Sequence, residues 1–514
     1  MSNGSRTAKV ATLDSPTLRS LDMDDSASTN VCDPRLSMEQ LDEALETKDL
    51  EQSFDAKAGD GVVWVEWTRD DAENPFNWSR RRKWQTTLIC CAFTVSVAFS
   101  NTAFSSGSPS MMRELGCSHE LAALGLAIFP LGFALGPLTL APLSEAYGRY
   151  PMYIASAVLY LLMFIPIALA RSIETVLIAR FISGVAASTG GTLVGGTVAD
   201  LFDAADRGLP MSLYSFCAFG ANGLGPALCG WVEMKKGWRW IEWYQMMVAG
   251  AIAIVLVLFT RETRASVLLS RRAKKLRDDL QDDRYQCRSD AERSSISVLM
   301  RVSMTRPLYL LGTEAIVASF SLWAAFSYGS AFLLIEAVPL IFKNNVRGSL
   351  QTSALSRALT SGVAATIGFI GNIYQEKLYR ENVARRGPEA RLYSSLIGGL
   401  LFPAGAFILA FSQDRGHWMG PIVGLTLIFL GIYTIYLAVF SYLADCYTIY
   451  ASSALSGQSL CRNLGAFAMP LFTTQMYDAL GYQWSSFLAG MIALVLAATP
   501  WVLFRFGPAI RARS

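Results

Sequence analysis

Leu121-Ala-Ala-Leu-Gly-Leu-Ala-Ile-Phe-Pro-Leu-Gly-Phe-Ala-Leu-Gly-Pro-Leu-Thr-Leu-Ala-Pro142 contains no charged side chain, and Leu143-Ser-Glu-Ala-Tyr-Gly-Arg149 follows it at once. A continuous apolar run of about 20 residues is the length of helix that crosses the hydrocarbon core of a bilayer. Its many Gly and Pro residues, and the lack of a period-two alternation, favour a bundled helix over a strand of a membrane barrel. Comparable runs recur along the chain and predict spans at 84–106, 121–142, 152–170, 176–199, 210–232, 241–260, 308–336, 352–374, 393–412, 418–444, 453–477 and 484–504. The composition agrees, with 52% hydrophobic and 17% charged residues against about 25% charged in soluble domains. The chain is therefore expected to be an all-α integral membrane protein of twelve spans.

Lys and Arg orient it. With the amino terminus in the cytosol, the inner segments hold Arg80 to Lys83, Arg149, Arg207, a dense basic run from Arg261 to Arg306, the cluster from Lys377 to Arg391, and Arg505, Arg511 and Arg513. The outer loops hold far fewer, which is the positive-inside asymmetry and places both termini inside with an even number of spans. Residues 1–83 are poor in aliphatic side chains and rich in Ser, Thr, Asp and Glu, a mixture that buries too little to offset the entropy of ordering, so a disordered cytosolic tail is expected. The organisation then reads as a first six-helix half at 84–260, a cytosolic linker at 261–306, a second half at 307–506 and a short cytosolic tail at 507–514. Part of the linker, from Ala265 to Arg277, sets apolar residues at helical spacing against a basic face, and reads equally as a helix along the inner leaflet or a solvated connector. An internal repeat supports the division, because Ala199-Asp200 and Ala444-Asp445 close the fourth and tenth spans, and Gly220 and Gly465 recur at the same offset.

No disulfide is expected of the nine cysteines, since all but Cys117 fall in apolar runs or cytosolic segments. His119 and His417 lie in outer loops and form no metal pair. With no Walker loop and no catalytic triad, the sequence offers no ATP-driven pump, no enzyme, and no cofactor or metal site. The small net charge of +3 follows membrane topology and argues for no nucleic-acid partner.

The turn from Glu145 to Arg149 needs Gly148 for its backbone, and Glu145 and Arg149 can pair with each other or with Asp200 and Arg207 on neighbouring helix ends. Breaking such pairs as two halves rock would make a gate. In the fifth span, Gly220, Gly223, Gly225, Pro226 and Gly230 allow close helix approach and a kink. On these two motifs the chain resembles the major facilitator superfamily, and within it the fungal twelve-span drug:proton antiporters, whose loop reads Pro-Leu-Ser-Glu-x-Tyr-Gly-Arg as at Pro142 to Arg149. The likeness extends to Asn74-Pro-Phe-Asn-Trp-Ser79, Arg180-Phe-Ile-Ser-Gly184, Trp238-Arg-Trp240, Arg261-Glu-Thr-Arg264 and Arg462-Asn463. The resemblance implies the two-half major facilitator fold, proton-driven export, and a coupling role for Arg180.

Ionisable residues within spans are costly and so mark function. Arg462 falls about nine residues into the eleventh span, roughly 14 Å deep at 1.5 Å per residue, and needs a carboxylate, a carbonyl or an anionic cargo. Glu314 in the seventh span is a second proton-coupling candidate or a local partner for a basic residue. Asn101 in the acid-free first span, with Trp323 and Tyr328 in the seventh, completes the candidate cargo site. The expected function is a monomeric proton:substrate antiporter of the plasma or vacuolar membrane, exporting a drug, a secondary metabolite or an organic acid. Polyamine export and a transporter-like nutrient sensor are the rival readings.

Overall fold

A computed structural model describes residues 62–68, 71–203, 206–291, 296–344, 350–413, 419–447 and 450–511. The chain divides into Met1–Val63 and Trp64–Ser514, and all that follows concerns the second unit. Of the expected tail, residues 1–61, 69 and 70 lie outside the described residues.

The first half holds α1 (Arg80–Leu115), α2 (His119–Tyr147), α3 (Arg149–Ala168), α4 (Ile173–Leu201), α5 (Gly208–Lys236) and α6 (Trp238–Phe259). A linker helix, α7 (Ala265–Leu280), precedes the second half, which holds α8 (Ile296–Thr313), α9 (Ala315–Asn344), α10 (Leu350–Arg386), α11 (Tyr393–Ser412), α12 (Met419–Cys446), α13 (Ala451–Leu480), α14 (Tyr482–Leu496) and α15 (Ala498–Arg511). The seventh span is the pair α8 and α9, whose backbone ladder runs on through Glu314, its N–H donating to Leu310 and its carbonyl accepting from Ala318. The twelfth is α14 and α15, joined by the Ala497 N–H to Ala493 O bond of 2.8 Å.

Among the described residues nine helical stretches are long and apolar enough to cross a membrane by length and composition. One of them, Ala358–Ser412, runs through two spans, α10 and α11, while α5 and α13 fall short because Gly, Ser and Asn dilute their hydropathy. Their small and polar residues serve helix contacts, α5 packing on α1 and α10 and α13 on α9 and α2. Large apolar side chains are exposed on the outside of the bundle, Leu224 and Trp231 on α5 and Phe472 on α13 as well as Ile178, Leu258, Ile370, Ile397 and Val495 elsewhere, as a hydrocarbon solvent allows. The same pairing serves both halves, since α1 crosses α5 as α9 crosses α13. A Cβ at Gly225 would stand 2.6 Å from Phe99 O, and one at Gly329 would stand 2.8 Å from Gly465 O. Only glycine permits such backbone approach.

Three expectations are corrected. The described part of the segment from Trp64 to α1 is folded, because Val65 donates to Gln286 O at 2.9 Å, Asp71 pairs with Arg272, and Asn74 caps the turn Pro75–Asn77. The apolar side of α7 faces protein rather than lipid, since Leu269, Ala273 and Leu276 cluster with Val65, Tyr285 and Cys287. The carboxy-terminal tail begins later than residue 507, as α15 runs to Arg511, which pairs with Glu389 at 2.8 Å.

Candidate functional site

One end of the bundle carries the turn between α2 and α3, and is called the basic end here. Gly148 closes α2 at φ 107, a conformation that favours glycine, and a Cβ there would run into the carboxylate of Glu262. That carboxylate, just beyond α6, accepts the Arg149 N–H at 2.9 Å and the Tyr150 N–H at 3.2 Å, and so caps α3 from a distant part of the chain. Burial and the orphan donors of a helix start make this a strong position for an anion. Arg149 in turn bonds Asp200 at 3.2 Å and Ser144 Oγ at 2.6 Å, and Arg264 reaches the other Asp200 oxygen at 3.3 Å.

Of the gate residues read from the sequence, Gly148, Arg149 and Asp200 come together. Glu145 lies nearby, half-buried, its side chain making no ion pair or hydrogen bond among the described residues, and Glu262 takes the acidic place. Arg207 does not pair with Asp200, because its guanidinium donates to Phe202 O at 2.8 Å and Ala199 O at 3.0 Å. It thereby closes the carboxyl end of α4, where backbone carbonyls are unsatisfied. The second half repeats the device. Arg391 bonds Asp445 at 2.8 Å and Glu376 at 2.5 Å while stacking over Tyr379, so Asp445 stands to α12 as Asp200 does to α4.

Between the halves, midway along the bundle, lies a cavity of about 60 Å³, room for a few waters and far short of the 300–1,000 Å³ of a drug site. The first half supplies Asn101, Phe129, Phe133, Tyr214, Phe219 and Asn222, and the second supplies Tyr328, Tyr436, Arg462 and Asn463. Three of the four cargo candidates, Asn101, Tyr328 and Arg462, therefore share one space. Trp323 does not, since it packs on Phe320 in the core of the second half. At 100° per residue, five positions rotate it well away from Tyr328 around α9. Tyr436, Phe219 and Asn222 have no local signature that marks them out among the many aromatic and amide side chains of these helices.

Arg462 is 9% exposed. Its guanidinium lies 5.0 Å from the ring centroids of both Tyr328 and Tyr436, NH2 meets Ser459 Oγ at 3.4 Å, and Nε has no partner. Arg180, 1% exposed, donates to Gly125 O at 2.8 Å and sits over Phe104 and over Phe129, a wall of the cavity. Its electrostatic counterpart is Glu242 on α6, 2% exposed, whose Oε2 meets no donor. Glu242 was not among the residues expected from the sequence, although an acid two residues past Trp238-Arg-Trp240, on the buried stripe of Trp238, Ile241 and Gln245, is a readable signal. Glu314, by contrast, is half-buried at the junction of α8 and α9 and accepts from Tyr447 at 2.9 Å.

The family model described as Major Facilitator Superfamily matches residues 88–451. The transporter paaT of Penicillium rubens is 35% identical over 87% of this chain and 82% of its own. The major facilitator superfamily multidrug transporter mdrA of Aspergillus fumigatus is 33% identical over 88% and 75%, and the efflux pump FUBT of Fusarium oxysporum is 32% identical over 86% and 75%. Among solved structures, the xylose transporter XylE from E. coli, in a partially occluded inward-open conformation, superposes with a TM-score of 0.60 at 15% identity, over 83% of this chain and 98% of that one. At that identity the likeness is one of fold.

Proposed function

The chain belongs to the major facilitator superfamily, and from that premise we propose that it is a proton-coupled exporter of a small organic compound. The observation that carries this reading is the double ownership of the cavity, with Asn101, Phe129 and Phe219 on one half and Tyr328, Tyr436 and Arg462 on the other. A site walled by two bodies opens to one side or the other as the bodies rock, which is alternating access. The direction comes from kinship with proteins named as efflux pumps and multidrug transporters. The Lys and Arg asymmetry turns the basic end to the cytosol, in a monomer of the plasma membrane.

In this reading the Arg149–Asp200 and Arg391–Asp445 pairs, with Glu262 in place of Glu145, hold the cytosolic end of each half together. The proton is carried by Glu242 opposite Arg180. A buried carboxyl that loses its counter-ion sheds its charge by taking a proton, and Arg180 stands against Phe129 in the cavity wall, where movement of cargo is felt. Tyr160 on α3 and Cys229 on α5 are the other titratable neighbours of Glu242, and Glu114 and Arg239 pair one turn above it at 2.9 Å. The test is Glu242→Gln in everted vesicles. Exchange of labelled cargo down its own gradient should persist while accumulation driven by an acid lumen disappears; accumulation equal to wild type would return Glu242 to a structural role.

A further inference from the structure

We infer that the cargo is an organic anion, a carboxylate or sulfonate on a planar, largely apolar body, bound by Arg462. The inference rests on the central cavity being the cargo site, as proposed above. An arginine side chain stays protonated in proteins, so the cavity contains a fixed positive charge. None of the residues that line it is Asp or Glu, and no ion pair to Arg462 occurs among the described residues. The groups that act on it electrostatically are Tyr436, which also serves as a side-chain hydrogen-bond partner, Tyr328 and Tyr214.

A buried cation with no counter-ion is expensive. The two tyrosine faces offset part of that cost, as they do for a cation held ready for a ligand. They leave Nε unpartnered, and the lining also contains the unpartnered Oδ1 of Asn101. Arginine's planar fork matches a carboxylate or sulfonate in a way that a lone ring face does not. Beside it, Phe219 makes edge contacts to Tyr328 at 6.5 Å and to Tyr436 at 5.2 Å, and Phe129 and Phe133 form the facing wall. These rings suit a flat apolar body. The same chemistry argues against a polyamine, because a polycation would meet Arg462 and find no acid.

The position differs in kind from Arg180. Both guanidinia keep one buried nitrogen without a partner, but Arg180 feels the charge of Glu242 and donates to a backbone carbonyl at 2.8 Å, whereas no carboxylate acts on Arg462, so one has to arrive with the cargo.

The experiment measures binding to the purified full-length protein by calorimetry, with three probes of similar shape: naphthalene-1-sulfonate, its neutral sulfonamide, and the cation 1-naphthylmethylammonium. Wild type should bind the sulfonate best, and Arg462→Gln should weaken the sulfonate about 10- to 100-fold, the range of a charge-assisted hydrogen-bond pair. The sulfonamide should change little, which also shows that the variant is folded, and Arg462→Lys should recover part of the sulfonate affinity. Equal loss of sulfonate and sulfonamide, no loss of either, or a preference for the cation overturns the inference. If sulfonate binding follows Arg462 while no probe is exported, the anion site stands and the export reading falls. If a neutral compound is exported under a pH gradient while sulfonate does not bind, export stands and the anion assignment falls.

Discussion

Replacing Glu262 by Ala removes the acceptor for the Arg149 and Tyr150 amides, at 2.9 and 3.2 Å, in a place where the carboxylate is 6% exposed and water cannot readily substitute. A hydrogen bond to a charged group contributes about 1.5–3 kcal/mol, and a buried donor left alone costs a similar amount. The two bonds share one carboxylate and so are not fully additive, which gives an expected loss of about 3–5 kcal/mol in the local stability of the start of α3. Glu262→Gln leaves one accepting oxygen and turns an amide towards donors, for a loss of about 2 kcal/mol. Amide hydrogen exchange at Arg149 and Tyr150 reads these differences directly, because local opening is what it measures. At roughly 1.4 kcal/mol per tenfold, exchange there should accelerate at least 100-fold in the Ala variant and about 20- to 30-fold in the Gln variant. Glu145→Ala, on the same turn, should change it by less than about threefold, as expected of a side chain outside such a network. Exchange that is unchanged in Glu262→Ala, or that responds as strongly to Glu145→Ala, would refute the assignment of Glu262 as the acid of this end.

Gly225→Leu should prevent α1 and α5 from packing, because even its Cβ would lie 2.6 Å from Phe99 O; loss of monodisperse protein on size exclusion is expected, and Gly237→Leu, which meets no atom within 4 Å, is not a matched control because its φ of 84 favours glycine on its own account. Gly312→Leu has open space and an ordinary helical backbone, so it should behave as wild type. The hydrogen bond from Arg272 holds the carboxyl of Asp71 below its usual range. A depressed folded value means that this contact contributes fully above pH 3.8, the unpaired value, and is lost as the pH falls through the folded one. Protection of the Gln286 region against exchange should therefore be flat from neutral pH down to about pH 4 and decline only below it, whereas a decline near pH 6 would point to another group.

Much of the fold was legible because membrane solvation imposes it one helix at a time. Apolar runs long enough to span and the placing of Lys and Arg are local properties, and α1 to α6 lie where those runs predict. What hydropathy blurred, α5 and α13, are helices whose Gly, Ser and Asn face neighbouring helices and not lipid. The site was legible only where one helix sufficed. Arg462 declared itself by depth alone, whereas its tyrosine walls come from α9 and α12, and nothing local distinguishes Tyr436 from the tyrosines around it. Glu262 was hidden for a similar reason, because its partners Arg149 and Tyr150 are 113 and 112 residues away in the chain. Trp323 does not line the central cavity because its position around α9 turns it into the core, and Glu242 was overlooked because it stands in the first turns of α6, at the edge of the expected span.

The measurement closest to the central claim uses everted vesicles containing the full chain, with a labelled panel of planar organic anions, neutral drugs and amines outside, and an imposed pH gradient with an acid lumen. The account predicts uptake against the compound's own gradient, greatest for the anions, collapsing when a protonophore removes the pH difference, and absent from vesicles lacking the protein. Uptake that is indifferent to the pH gradient, or no uptake of any compound, would contradict it.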